Sequence, residues 1–258
     1  MASRASTEFR NDSLPGVSPS RQEEVLAAIS AVRDPEIDET VASLDFIMGV
    51  DVDGDAVTVS LRLPTFWCPA NFVFLMAHDM RAVVTALPWV GSFNMKLVDH
   101  FAADEINRSV NEGLGFEQVF PQASQGLDKL RRSFDEKTFL MRQGSLLRHL
   151  RGKGFDDGFL LRVDIGELDR ICARDDAELG ELRTAYLEKR RKLGLPCGEA
   201  SKVAADVEGN PVEDLGSHLR MIRSTAMNAG ANGEMCRMLV AARREGGCGA
   251  FRAEHTRR

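Results

Sequence analysis

The sequence predicts an α/β (α+β) protein, with a small mixed sheet covered by helices and a mostly α-helical C-terminal domain after it. Residues 57–63 alternate apolar and polar side chains with period two, as a strand with one buried face does. Residues 72–87 place large apolar side chains three and four positions apart, as a helix with one buried stripe does. Beyond residue 122 the apolar spacing is almost wholly helical. These observations indicate an α/β half followed by a helical half.

The first half alternates helices with strands. Ser20 and Glu23 have the spacing of a capping box, and Pro35 ends the apolar repeat that follows them, so a helix is predicted between these points. Asp53-Gly54 is a strong signal for a hairpin turn between two strands. Pro69 suits the first turn of the next helix. The predicted elements are, in order, helix 21–32, strand 41–52, strand 57–63, helix 72–87, strand 93–97 and helix 103–111.

The second half is predicted to be helical, with one short strand. Ser133 and Glu136 repeat the capping-box spacing, which predicts that a helix begins there. Phe159, Leu161 and Val163 lie at every second position, which predicts a short strand. The remaining apolar repeats predict a helix over 177–193, another through 215–222 and a separate last helix through 235–242.

Two domains and two tails are predicted. Residues 20–115 form the α/β domain, and residues 122–245 form a helical domain of unknown type. Residues 1–19 mix charged residues, Ser and Pro without an apolar core, and residues 246–258 are rich in Gly and Arg. Neither composition supplies enough apolar surface to fold, so both segments are predicted to be disordered tails.

Composition and charge argue against several classes of protein. A net charge of −6 and a pI near 5.5 oppose a general attraction to nucleic acid or to anionic membranes. No apolar run approaches the roughly 20 residues that span a bilayer, and the N-terminus does not resemble a secretory signal. The five cysteines are widely spaced and form no C-x-x-C pair, which is typical of thiols in a reducing compartment. We therefore expect a cytoplasmic protein that binds neither nucleic acid nor membrane.

Cys68 is the strongest candidate for a functional residue. It lies in the turn between strand 57–63 and the helix that follows Pro69. A thiol just ahead of a helix N-terminus is close to unpaired N–H groups, which favour its thiolate form, and reactive or metal-binding cysteines use such positions. The alternative is that Cys68 is a small buried apolar residue at a crowded corner beside Phe66 and Trp67.

Four short segments together resemble a known family. They are Asp34-Pro35-Glu36-Ile37, the first strand with Ile47, the Cys68-Pro69 pair, and the stretch from Asp104-Glu105-Ile106-Asn107 to Gly115-Phe116. With them, residues 23–116 resemble the small α/β domain of the PaaD- and SufT-like proteins, which act in iron–sulfur cluster assembly and metalloprotein maturation. The resemblance implies that Cys68 handles iron or a cluster and that Asp34 and Glu36 lie in the same functional region. With its long C-terminal half, the chain is also similar to accessory proteins encoded with bacterial soluble diiron monooxygenases.

The chain departs from that family at two positions beside the predicted site. The segment 43–47 occupies the position of the family's D-L-G-L-I motif. Its acidic residue lies two positions later than the Asp of that motif. Pro64 stands where the family has a threonine, and Thr65 follows it. We take Thr65, together with Asp34 and Glu36, as supporting residues of the site. Both departures favour a chain that keeps the fold for binding and has lost metal handling.

Three functions are compatible with these residues. The leading prediction is an accessory or maturation factor for a metalloprotein, not an enzyme, which helps to assemble an iron–sulfur cluster or an iron centre, and the client named by the resemblance is a diiron monooxygenase. The alternative is a non-catalytic docking or regulatory subunit of an oxygenase complex. The third is a thiol redox enzyme, because Thr65 and Cys68 also fit the T-x-x-C pattern of peroxidatic thiols.

Partners and cofactors follow from the same arguments. A cluster normally takes four cysteine ligands, so a cluster bound at Cys68 would be shared with another chain. We therefore expect iron or a cluster to be bound only transiently and assign no resident cofactor. Asp34, Glu36 and His100 could supply further ligands, whereas Cys236 has no ligand spacing. The expected partner is a client metalloprotein or an oxygenase component, and a homodimer is left open.

Overall fold

A computed structural model describes residues 19–120, 127–172 and 176–244 of the chain. In these residues the elements are, in order, α1 (Arg21–Ser30), β1 (Ile47–Asp53), β2 (Ala56–Arg62), α2 (Ala70–Thr85), β3 (Ser92–Val98), α3 (Ala103–Glu112), α4 (Phe116–Val119), α5 (Leu127–Gly152), α6 (Asp157–Arg162), α7 (Ile165–Cys172), α8 (Ala177–Lys192) and α9 (Leu215–Arg244). This order confirms the predicted α/β class with a helical region after the sheet. The predicted tails lie outside the described residues, apart from Pro19.

The three strands form one mixed sheet in the order β1-β2-β3. β1 and β2 are antiparallel, and β2 and β3 are parallel because α2 crosses over between them. Asp53 pairs with Ala56, so the hairpin turn consists of Gly54 and Asp55, one residue later than predicted. Gly54 has a φ of 61°, which a glycine adopts without strain. The period-two pattern of β2 is confirmed, because Val57, Val59 and Leu61 are buried.

The predicted strand over 41–52 begins only at Ile47. Residues 40–45 form turns, in which the Thr40 hydroxyl accepts a hydrogen bond from the backbone N–H of Ser43 at 3.1 Å. Asp45 has a φ of 58°, which no strand contains. The apolar residues Val41 and Leu44 are nevertheless buried, so burial of this segment does not require a strand.

Three predictions for the second half are wrong. Residues 133–136 are not a helix start but lie inside α5. Residues 159–163 are not a strand, because Asp156 caps α6 by accepting a hydrogen bond from the N–H of Phe159 at 2.7 Å. The two helices predicted through 215–222 and 235–242 are one continuous helix, α9. The predicted helix over 177–193 is confirmed as α8.

Two apolar cores organise the described residues. The first contains the sheet with α1, α2 and α3, and the second contains residues from α5, α6, α7, α8 and α9. α9 contributes to both: Leu215 and Ile222 are buried in the second core, whereas Cys236 and Val240 pack against the first. No helix in the described ranges is both long enough and apolar enough to cross a membrane. The domain boundaries stay a prediction.

Candidate functional site

Cys68 lies in the short loop that joins the end of β2 to the start of α2. α2 begins at Ala70, and Pro69 is its N-cap residue, directly before the first turn in which it was predicted. The Cys68 sulfur is half-buried and lies 3.2 Å from the Thr65 hydroxyl. At that distance the hydroxyl and the sulfur form a hydrogen bond. The structure therefore brings Cys68 and Thr65 together, as a T-x-x-C pattern requires.

His100 fixes the backbone of this loop. Its Nδ1 accepts a hydrogen bond from the N–H of Ala102 at 3.2 Å, so its Nε2 carries the proton and donates to the carbonyl of Cys68 at 2.7 Å. Burial lowers the pKa of His100, which keeps the ring neutral and suits both bonds. Because both ring nitrogens are engaged, His100 is not a spare metal ligand but a residue that positions Cys68.

Exposed aromatic rings border Cys68. Phe66, Trp67 and Phe101 form what we call the aromatic patch, with ring centroids 5.5 Å apart for Phe66 and Trp67 and 6.4 Å apart for Phe66 and Phe101. Trp67 is 72% exposed, and the other two rings are about half exposed. Cys68 itself is only partly buried and packs against the first core beside these exposed rings. Exposed aromatic residues of this kind are typical of binding surfaces.

Asp34 shapes the turn that follows α1. Its Oδ1 accepts hydrogen bonds from the backbone N–H groups of Glu36, at 2.9 Å, and Ile37, at 3.2 Å. The side chain is buried, and this burial raises its pKa, with Glu36 and Glu39 adding a smaller repulsion. Asp34 is thus a buried carboxyl group with one oxygen committed to the backbone.

The second half of α9 packs against this turn and against the end of β2. Asn232 donates a hydrogen bond to Glu36 at 3.2 Å, Arg237 forms an ion pair with Glu39, and Arg243 donates to the carbonyl of Leu63. The approach is close, because a Cβ atom on Gly233 would lie 2.8 Å from Oε1 of Glu39. α9 therefore runs from the 34–39 turn to the start of the Cys68 loop.

Cys236 faces the same region and was not predicted as a site residue. Burial raises its pKa to about 11, and the nearby carboxylate of Asp34 is the next cause. Cys68 and Cys236 also pack against the same apolar core. No sequence signal could have identified this neighbour, because the two cysteines come from opposite halves of the chain and have no motif spacing.

The site groups two thiols with carboxyl groups but does not form a complete metal site. Asp34 and Glu36 lie close enough to Cys236 to raise its pKa, and Thr65 contacts Cys68. Within the described ranges, no group of three or more His, Cys, Asp or Glu side chains could hold a metal ion. Iron or a cluster bound at Cys68 would therefore need ligands from a partner. The roles of these residues in metal handling stay predictions.

A family comparison matches the part of the chain that carries Cys68. Residues 22–94 match the model of a family described as iron–sulfur cluster assembly protein, under a third of the chain. The match includes the 34–37 turn, β1, β2 and the Cys68-Pro69 pair, and it ends within β3. No curated protein and no solved structure matches the chain. The predicted resemblance to the cluster-assembly family is therefore confirmed for residues 22–94, which match the family model.

Proposed function

We propose that this protein is an accessory factor that helps to assemble an iron–sulfur cluster or an iron centre in a client metalloprotein, with Cys68 as the thiol that handles the cargo. The observation that carries the proposal is the position of Cys68: it is accessible, lies in the family-matched segment and is bordered by the aromatic patch. A client can therefore dock beside the thiol that holds its iron.

The residues around Cys68 are better suited to transferring iron or a cluster to a client than to storing it. A thiolate is a soft ligand that binds iron well, and the Thr65 hydroxyl contacts the Cys68 sulfur at 3.2 Å. His100 donates a hydrogen bond to the Cys68 carbonyl, so it positions the loop and is not itself free to bind the metal. Because the described residues offer too few ligands for a closed site, the cargo would complete its coordination with ligands of the client. Exchange of ligands then moves iron or a cluster to the client without a catalysed reaction.

The client class is the narrower part of the proposal. A diiron monooxygenase is favoured because the chain, with its cluster-assembly segment and long helical half, resembles accessory proteins encoded with those enzymes. An oxygenase component would place the protein in a complex in which the helical half makes contacts of its own.

Replacing Cys68 by serine should reduce iron binding by about tenfold or more, since oxygen is a poor substitute for a soft sulfur ligand. The full chain is incubated with ferrous iron and sulfide without oxygen, and unbound metal is removed. Iron per chain and the visible absorption of any cluster are then measured. Cys172→Ser is the matched control, because Cys172 is also half-buried but lies in the second core. That variant should bind as much iron as the unmodified chain.

A second function, a docking subunit without metal handling, is favoured by one observation. Side chains of α9 already bind Glu36 and Glu39, so these carboxylates are engaged within the chain. Pro64, which replaces the family's threonine, also favours the docking function. If Cys68→Ser and Cys172→Ser retain iron equally, the cargo proposal fails and the docking function takes its place.

A further inference from the structure

α9 has apolar side chains on two opposite faces. One face is packed on the protein: Leu215 and Ile222 are buried in the second core, and Cys236 and Val240 pack against the first. The other face is exposed to solvent. Its large side chains, which we call the methionine stripe, are Met221, Met227, Met235, Met238 and Leu239.

The spacing of these residues places them on one face of α9, which also carries the exposed polar residues Ser224 and Asn228. Successive residues of a helix are rotated by about 100°, which places all five side chains within a sector of roughly 120°, opposite the packed face. The small exposed residues Ala231 and Ala242 fall in the same sector. Met227 is 68% exposed and Met238 is 60% exposed. A helix that only covers a core carries polar residues on its outer face, so this stripe indicates an interaction surface.

The charge of α9 is opposite to that of the whole chain. The helix contains five arginines and one glutamate, in a protein whose net charge is −6. Arg237 and Arg243 are used within the chain, on Glu39 and on the backbone. Arg220 and Arg223 are exposed and lie at the end of the stripe near Met221. A partner that covers the stripe therefore meets positive charge at one end.

We propose that the methionine stripe is the docking surface for an amphipathic helix of the client protein, with apolar side chains on one face and Asp or Glu residues near Arg220 and Arg223. The inference rests on the proposed function, because it takes the partner to be the client. Methionine side chains are flexible and polarisable, so they adapt to differently shaped apolar partners. Cys236 lies on the packed face of α9, so a client helix along the stripe would bind the opposite face of the helix that borders the candidate site.

A second copy of the chain and a membrane surface are weaker occupants. Parallel pairing of two α9 helices would oppose identical arginines, and antiparallel pairing would supply only Glu234 as a negative charge. Helices that bind membrane surfaces bury Trp, Phe or Leu and turn a basic face to water. The stripe has no aromatic residue, and the opposite face of α9 is packed on the two cores.

Binding of a synthetic peptide tests the proposal. The probe is a fluorescent helical peptide with leucines three and four positions apart and glutamates on either side, and its anisotropy is measured with the full chain. The acidic peptide should bind, whereas a scrambled peptide and one with lysines in place of glutamates should bind much more weakly. The double variant Met235→Gln with Met238→Gln should weaken binding by about tenfold. Met48→Gln is the matched control, because Met48 is 57% exposed on β1, away from α9.

Several outcomes would overturn the inference. Equal binding of the scrambled peptide, or unchanged binding to the double variant, removes the stripe as a specific surface. A dimer in sedimentation that the double variant turns into a monomer identifies a second copy as the occupant. Binding to phosphatidylglycerol vesicles that the double variant abolishes identifies a membrane. The assay contains no metal, and Cys68→Ser should bind the peptide normally, so failure of the docking inference and failure of the iron proposal are distinguishable.

Discussion

Replacing Arg142 by methionine should lower the free energy of unfolding by about 3 kcal/mol, because it leaves the largely buried Asp38 carboxylate with only a longer ion pair to Arg33. Arg142 lies on α5 with only 8% of its side chain exposed. Its guanidinium donates to both carboxylate oxygens of Asp38, at 2.9 and 3.0 Å, and to the carbonyl of Ala185 and a carboxylate oxygen of Glu188, both at 2.8 Å. It therefore connects the 34–39 turn of the first half to two helices of the second.

Urea unfolding measures this change against a control on the same helix. Arg132 forms an exposed pair with Glu136 one helical turn away, and Arg132→Met should cost under about 0.5 kcal/mol. Adding Asp38→Asn to Arg142→Met should recover part of the loss, since the orphaned charge is then removed. Asn tolerates the φ of 56° at this position. Equal stability of the two single variants would show that the Arg142 contacts contribute nothing.

The sequence was a good guide where one periodic pattern decides the structure. β2 and β3 bury alternate residues, such as Val59 and Met95, and the helical repeat predicted α2. The capping box of α1 forms as predicted, with Ser20 accepting from the N–H of Glu23 and the Glu23 carboxylate accepting from the N–H of Ser20. These features depend on local chemistry, which the order of residues contains.

The sequence was a poor guide where distant packing decides the structure. The alternation at 159–163 is too short to distinguish a strand from a helical turn, and the Asp156 cap selected the helix. α9 is continuous because its two ends pack on two different cores, which no local pattern reveals. The same long-range packing places Cys236 and Cys68 against the same core and directs His100 at the Cys68 carbonyl. The part of the candidate site that belongs to sequence motifs was thus predictable, whereas the part that depends on tertiary contacts was not.

These contacts give the helical half a structural role at the candidate site. Arg142 from α5 binds Asp38, while Asn232 and Arg237 from α9 bind Glu36 and Glu39. The acidic turn that the family resemblance marks as functional is therefore held by side chains outside the family-matched segment. A truncated chain that keeps only the matched residues would lose all of them, which is why the full chain is needed in every assay.

The charge of Asp34 should reduce stability at neutral pH. Burial raises the pKa of this carboxyl above the value that it has in the unfolded chain, so the folded state binds its proton more tightly. The resulting stabilisation is complete below the unfolded pKa of about 3.8 and is lost as the pH rises through the folded pKa. Asp34→Asn keeps the acceptor for the N–H groups of Glu36 and Ile37 without the charge. At neutral pH this variant should therefore be at least as stable as the unmodified chain.

Asp34→Ala separates the hydrogen bonds from the charge. It removes the acceptor of both N–H groups and should cost about 2 kcal/mol at neutral pH, measured by urea unfolding. If Asp34→Asn is destabilised as much as Asp34→Ala, the charge itself holds the turn and the argument from burial is wrong. A buried charge that lowers stability is typical of a residue kept for function. Asp34→Asn should then combine unimpaired stability with reduced iron binding in the ferrous iron assay, a pairing that a purely structural carboxyl would not produce.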